Sequence, residues 1–153
     1  MAENRDAKPG IDFPGVGCGL AILRDDRILL CRRLKAPEEG SWTITGGKVD
    51  LMETTRDAAR REGAEESGLM VGEAVEFLCV SEHVLEDDLQ HWVSVIYVTR
   101  DVSGEPQESE PGKLVDIGWY SFDSLPAPLS RFAADAVAAI KAGSYLTERT
   151  AAS

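Results

Sequence analysis

A chain of 153 residues has room for one ordinary domain, and its 43% hydrophobic content excludes wholesale disorder. A net charge of −11 excludes nucleic-acid binding through the phosphate backbone, which needs a basic surface. No stretch has the apolar length of a membrane span, and the polar start Met1-Ala2-Glu3-Asn4-Arg5-Asp6 lacks an apolar signal core, so a cytoplasmic protein is expected.

Residues 1–12 read as a loose tail, 13–146 as a single domain and 147–153 as a second tail. Residues 16–23 and 27–32 are β-rich runs separated by Arg24-Asp25-Asp26, a hairpin turn. Residues 42–45 predict a short strand ending at Gly46-Gly47, and a helix follows. Residues 75–81 and 92–99 predict two more strands, the second β-branched and aromatic. Residues 104–112 carry Pro106, Pro111 and several Glu, and predict a loop. A strand over 117–122 comes next. From Leu129 the apolar positions Phe132, Ala133, Ala136, Val137 and Ile140 recur at helical spacing. Strands with two helices predict an α/β protein, a sheet covered on its faces by helices. Cys18, Cys31 and Cys79 are odd in number and widely separated, which suggests neither a disulfide framework nor a zinc site.

Chemistry concentrates in residues 46–69, GGKVDLMETTRDAARREGAEESGL. Thr54 with Asp57 forms a capping box, Asp50 with Glu53 a competing one, and Gly68 suits the helix end. With either start, Glu62, Glu65 and Glu66 occupy positions i, i+3 and i+4 of the helix and crowd one face. Such a face is more often simply solvated. It becomes favourable when a hard divalent cation sits among the oxygens, and Mg²⁺ is usually shared between carboxylates and phosphates. Gly46-Gly47 after a strand offers backbone groups to phosphate near a helix N-terminus. An acidic protein with an anionic ligand needs such a cation or a local basic patch.

This segment resembles the Nudix box, G-x5-E-x7-R-E-U-x-E-E-x-G-U with U aliphatic. Gly47, Glu53, Arg61-Glu62, Glu65-Glu66, Gly68 and Leu69 all match at the right spacing. The flanks GVGCGLAIL, ILLCRR, HWVSVIYV and IGWYSFDSLP are similar to the family's MutT-like branch acting on nucleoside triphosphates. Departures are Gly63 at the aliphatic position, where Gly costs roughly 1 kcal/mol in a helix, and Thr45 and Met52 where many members have Pro and Gly.

The resemblance implies an α/β/α sandwich with a mixed β-sheet and Mg²⁺-dependent hydrolysis of a phosphoanhydride, with Mn²⁺ able to substitute. It implies Glu62, Glu65, Glu66 and the Gly46 carbonyl as metal ligands, and Glu62 as candidate base. Arg61 and Glu53 would brace the loop and helix. A further ligand from outside the box is typical, and Glu110 and Glu82 are candidates. Gly46, Gly47, Lys48, Arg32, Arg33 and Lys35 could meet phosphates, and Trp42 or Trp119 a base. His83 and His91 lack metal-ligand spacing and read as ordinary polar residues.

The SQPWPFPxS run of the NADH-type members is absent, as are the Pro of ADP-ribose subgroups and the Tyr of dinucleoside polyphosphate subgroups; that region reads His83-Val84-Leu85. By elimination a (deoxy)nucleoside triphosphate is the expected substrate, with ADP-ribose or another nucleoside diphosphate derivative the alternative. A binding or regulatory module on the same fold would typically have lost box carboxylates. Dimers are common in the family, so a homodimer is the expected assembly.

Overall fold

The computed structural model describes residues 6–143. Its strands are β1 (Gly15–Arg24), β2 (Arg27–Arg33), β3 (Trp42–Thr43), β4 (Thr45–Lys48), β5 (Met70–Val71), β6 (Val75–Leu85), β7 (Gln90–Thr99), β8 (Val102–Ser103) and β9 (Leu114–Ser121). Two helices, α1 (Thr55–Ser67) and α2 (Arg131–Ala142), pack on them.

Seven strands form one mixed sheet, with the path β3-β2-β1-β7-β6 and with β4 on β1 and β9 on β2. The β1–β7 pair is parallel, and the other pairs in the sheet are antiparallel. β1 is buried along most of its length because both of its faces are covered. Leu23, Ile28, Leu30 and Ile96 pack with Ala133, Ala136, Val137 and Ile140 of α2. Leu20, Ile22 and Leu29 pack with Ala58, Ala59 and Leu69 at α1. The architecture is the expected α/β/α sandwich.

Thr54 wins the competition for the α1 start: its side chain accepts from the Asp57 N–H at 3.1 Å. Gly68 ends the helix at φ 73°, with its N–H bonded to the Ala64 carbonyl. Ser130 caps α2 in the same way, accepting from the Ala133 N–H.

The departure at Gly63 has a packing explanation. A Cβ there would lie 2.5 Å from Leu20 Cδ2, so Leu20 from β1 fills the space an aliphatic residue on α1 would use. Helix and sheet thereby approach closely where the glutamates sit.

Part of the expected N-terminal tail packs on the domain. Gly10 donates to the Phe13 carbonyl at 2.7 Å, and its own carbonyl accepts from the His91 N–H of β7 at 2.8 Å. Residues 1–5 and the 147–153 tail lie outside the described residues. Among the described residues, no helix is long and apolar enough to cross a membrane.

Candidate active site

The glycine pair is placed differently from the sequence expectation. Gly46 and Gly47 belong to β4, opposite Gly19 and Cys18 of β1, and underlie the body of α1 rather than its N-terminus. The close fit is steric. A Cβ on Gly47 would fall 2.5 Å from the Glu62 carboxyl carbon, and one on Gly46 would fall 2.4 Å from the Cys18 carbonyl oxygen. The Gly46 N–H donates to Glu66 Oε1 at 2.7 Å, and the Cys18 thiol faces the Gly47 carbonyl at 3.5 Å.

The three box glutamates are not equivalent. The Glu66 side chain is 3% exposed, Glu62 14% and Glu65 52%. Burial pushes the Glu66 carboxyl up to about 8, opposed by the Gly46 hydrogen bond and the nearby Lys113 charge. Burial also raises Glu62, against the hydrogen bond from Arg61.

Arg61 organises the other carboxylates. Its Nε and Nη2 donate to the two oxygens of Glu53 at 2.8 and 2.9 Å, and Nη1 reaches Glu62 Oε1 at 3.0 Å and Glu65 Oε2 at 3.3 Å. Nη2 also lies 3.5 Å from Asp50. Hydrogen bonding to Arg61 holds the Glu53 carboxyl below its usual range. This fork-to-fork pair ties the loop before α1 to the helix, as a brace would.

Glu110 is brought to the same region. Lys113 Nζ stands 3.5 Å from Glu110 Oε2 and 3.9 Å from Glu66 Oε2, linking the two carboxylates. Glu82 is not: it pairs with His91 at 3.2 Å on an exposed face.

Among the described residues, no three His, Cys, Asp or Glu side chains converge on one point. The cause is visible: Arg61 draws Glu62 and Glu65, while the Gly46 N–H and Lys113 hold Glu66. The donor chemistry nonetheless fits a divalent cation. Glu66 is buried and Glu62 half-buried, burial raises both carboxyls so that positive charge nearby favours their ionisation, and carboxylate and backbone oxygens are what Mg²⁺ accepts.

Beside these groups lies a cleft of about 540 Å³, a size suited to a small organic ligand. Gly46, Gly47, Lys48 and Arg33 line one part of it, as the sequence suggested; His83, Trp92, Ser94 and Phe132 line another. Gly15, Gly17 and Gly19 of β1 leave room for three of these lining side chains. Each would drive a Cβ within 3 Å of Trp92, Ser94 or Phe132 respectively.

Several expected contacts are absent from the cleft. Arg32 is held by Asp116 of β9 at 3.0 Å, and Trp42 packs edge-on against Tyr120 in the α2-side core. Trp119 sits under the Arg24 guanidinium, 4.7 Å from ring centroid to Cζ. Lys35 is not among the lining residues either. The aromatic face belongs to Trp92 instead, with His83 stacked on Phe132 at 5.7 Å and bonded to Ser94 at 3.1 Å. Sequence reasoning missed these residues, although the period-two glycines of β1 and the alternation Trp92, Ser94 on β7 carry the signal.

The fold and the box spacing together define a hydrolase class. A NUDIX domain model matches residues 14–140, and the chain belongs to the Nudix hydrolase family. The crystal structure of a MutT NUDIX hydrolase from Burkholderia pseudomallei is 42% identical, with a TM-score of 0.79, covering 83% of this chain and 98% of that one. An ADP-ribose pyrophosphatase of Methanocaldococcus jannaschii is 28% identical over 113 residues, 74% of this chain and 65% of that protein. An 8-oxo-dGDP phosphatase of Mus musculus is 30% identical over 106 residues, 68% of this chain but 31% of that protein. The chain therefore spans less than two thirds of either curated relative.

Proposed function

We propose that the protein hydrolyses the α–β phosphoanhydride of a (deoxy)nucleoside triphosphate, giving a nucleoside monophosphate and pyrophosphate, in a Mg²⁺-dependent reaction. One observation carries this reading. Buried Glu66 and half-buried Glu62 of α1 lie on the Gly46-Gly47 backbone at the edge of a cleft lined by cationic side chains and an aromatic wall. A polyanion joined to a flat base has those two requirements.

Glu62, Glu65, Glu66 and the Gly46 carbonyl would hold the cation, with Glu110 as a ligand from outside the box. When bound, a divalent cation neutralises phosphate oxygens and lowers the pKa of water. The chain's own groups do the rest. Arg61 holds Glu62 Oε1, which leaves Oε2 to take a proton from the attacking water. Glu53 acts through Arg61 and is a positioning residue. Lys48 and Arg33 orient phosphates from the cleft. Water adds its oxygen to phosphorus, the bridging P–O bond breaks, and the proton leaves through Glu62.

A second reading, hydrolysis of ADP-ribose or another nucleoside diphosphate derivative, is favoured by the archaeal relative. Loss of catalysis in a nucleotide-binding module is not favoured, since Glu62, Glu65 and Glu66 are all retained. The reading also carries a cytosolic location, suited to the free thiols of Cys18, Cys31 and Cys79, and a homodimer that size-exclusion chromatography would check.

The test is product analysis over a panel of nucleoside triphosphates, ADP-ribose and other diphosphate derivatives, with wild type and Glu66→Gln. Pyrophosphate from a triphosphate, lost in the variant, is the expected result. Turnover of ADP-ribose alone would select the second reading, and tight binding without any turnover would leave a binding module.

A further inference from the structure

The family match begins at residue 14, yet Lys8, Pro9 and Ile11 line the cleft. This short segment is fixed in place rather than draped. Gly10, at φ 85°, lies flat against the Trp92 indole, where an added Cβ would come within 2.3 Å of the ring. The same ring meets Gly15, whose Cβ would fall 2.5 Å from it and 2.8 Å from the Gly10 nitrogen. Backbone bonds from Gly10 to Phe13 and from His91 to Gly10 close the turn, and the Lys8 N–H donates to Asp12 Oδ2 at 2.6 Å. Trp92 is thus both a wall of the cleft and the anchor of the segment.

The chemistry of the segment suits one half of the proposed substrate. Ile11 is 57% exposed and shares the cleft with Pro9 and Trp92, an apolar surface that a planar, weakly polar group would cover. The phosphate-facing cations Lys48 and Arg33 and the glutamate-bearing backbone of Gly46 and Gly47 contribute to the same cleft. We infer that residues 8–11, which precede the residues matched by the NUDIX domain model, form a wall that recognises the nucleoside portion of the substrate. This deepens the function proposed above and rests on it.

The test is calorimetric titration of full-length wild type, Ile11→Ala and Gly10→Val in Mg²⁺ buffer. The titrants are dGMP and AMP for the nucleoside half, and inorganic pyrophosphate for the other half. Gly10→Val forces the segment off Trp92, whereas Ile11→Ala removes an exposed side chain and leaves the fold intact. The expected result is that both variants weaken nucleoside monophosphate binding, Gly10→Val at least tenfold, with a loss at least fivefold larger than that for pyrophosphate. Equal loss for both ligands, or unchanged binding with only a lowered Tm, would overturn the inference and leave a structural strap. Wild type that binds neither monophosphate would overturn it too. Wild type that binds a monophosphate through this wall but turns over no compound would sink the catalytic reading while sustaining the wall.

Discussion

At the scale of single residues, the site is a set of carboxylates held by very few cations. Arg61 serves Glu53, Glu62 and Glu65 together, and its planar fork makes two parallel bonds to Glu53. Lysine has no such fork. Arg61→Lys should therefore loosen Glu62 and lower kcat by roughly 10²-fold, the scale of a misplacement near 1 Å. KM should change far less, which steady-state kinetics would show; a rise in KM alone would make Arg61 a substrate contact. His83 permits a second prediction. Burial against Phe132 pushes its imidazole below the ordinary value of 6.5, and among the described residues Nδ1 has no hydrogen-bond partner. Above that value both folded and unfolded states are neutral there, so stability is unaffected. As pH falls below it, the unfolded chain takes up a proton that the folded chain resists, and stability drops. Urea unfolding at pH 7.5, 6 and 5 should show this loss, and His83→Gln should flatten it. An unchanged slope in the variant would assign the acid sensitivity elsewhere.

The helix–sheet contact sets the next scale. Gly63 lets α1 descend onto Leu20, so that Glu62 and Glu66 reach the β4 backbone. Alanine at 63 gains about 1 kcal/mol of helix propensity but meets a fully buried Leu20, and overpacking costs about 1–3 kcal/mol. Gly63→Ala should thus lower Tm in the wild-type background and raise it in a Leu20→Ala background, where the space is open. The same sign in both backgrounds would refute the packing account. This contact also marks the limit of what the sequence discloses. Strands over 16–23, 27–32 and 92–99 are legible because long apolar runs leave little ambiguity, the first helix because of its capping residues and the second because of its apolar spacing. β5 and β8 have two residues each, too few to show a period. β6 runs on to Leu85 and β9 starts at Leu114, because hydrogen bonds to β7 and β2 extend them beyond their apolar stretches. Gly46-Gly47 reads in the sequence as the end of a strand near a helix N-terminus, not as a strand under the helix body, since close approach of Glu62 is a tertiary fact no local pattern carries. The box spacing identified the glutamates and their Arg61 brace. The aromatic wall escaped because Trp92 and Phe132 come from distant elements, and tryptophan in a strand reads equally well as core.

For the whole molecule, the governing fact is an acidic protein, net −11, with a proposed polyanionic substrate. The chain meets this locally. Arg33, Lys48 and Lys8 gather at one cleft, and half-buried Glu62 and buried Glu66 beside it call for a further positive charge. A divalent ion that binds the folded state alone should stabilise it by about 2.7 kcal/mol at a hundred times its Kd. Thermal unfolding should show a higher Tm with Mg²⁺ than with EDTA, and Glu66→Gln should narrow that difference. The account's central claim is that the α1 glutamates make hydrolysis of a nucleoside triphosphate depend on a divalent cation. The most direct measurement is pyrophosphate release from nucleoside triphosphates by the full-length protein in Mg²⁺ and in EDTA. Release in Mg²⁺ that EDTA abolishes and added Mg²⁺ restores is the expected result; equal release in both, or none in either, would contradict the proposed role of the α1 glutamates.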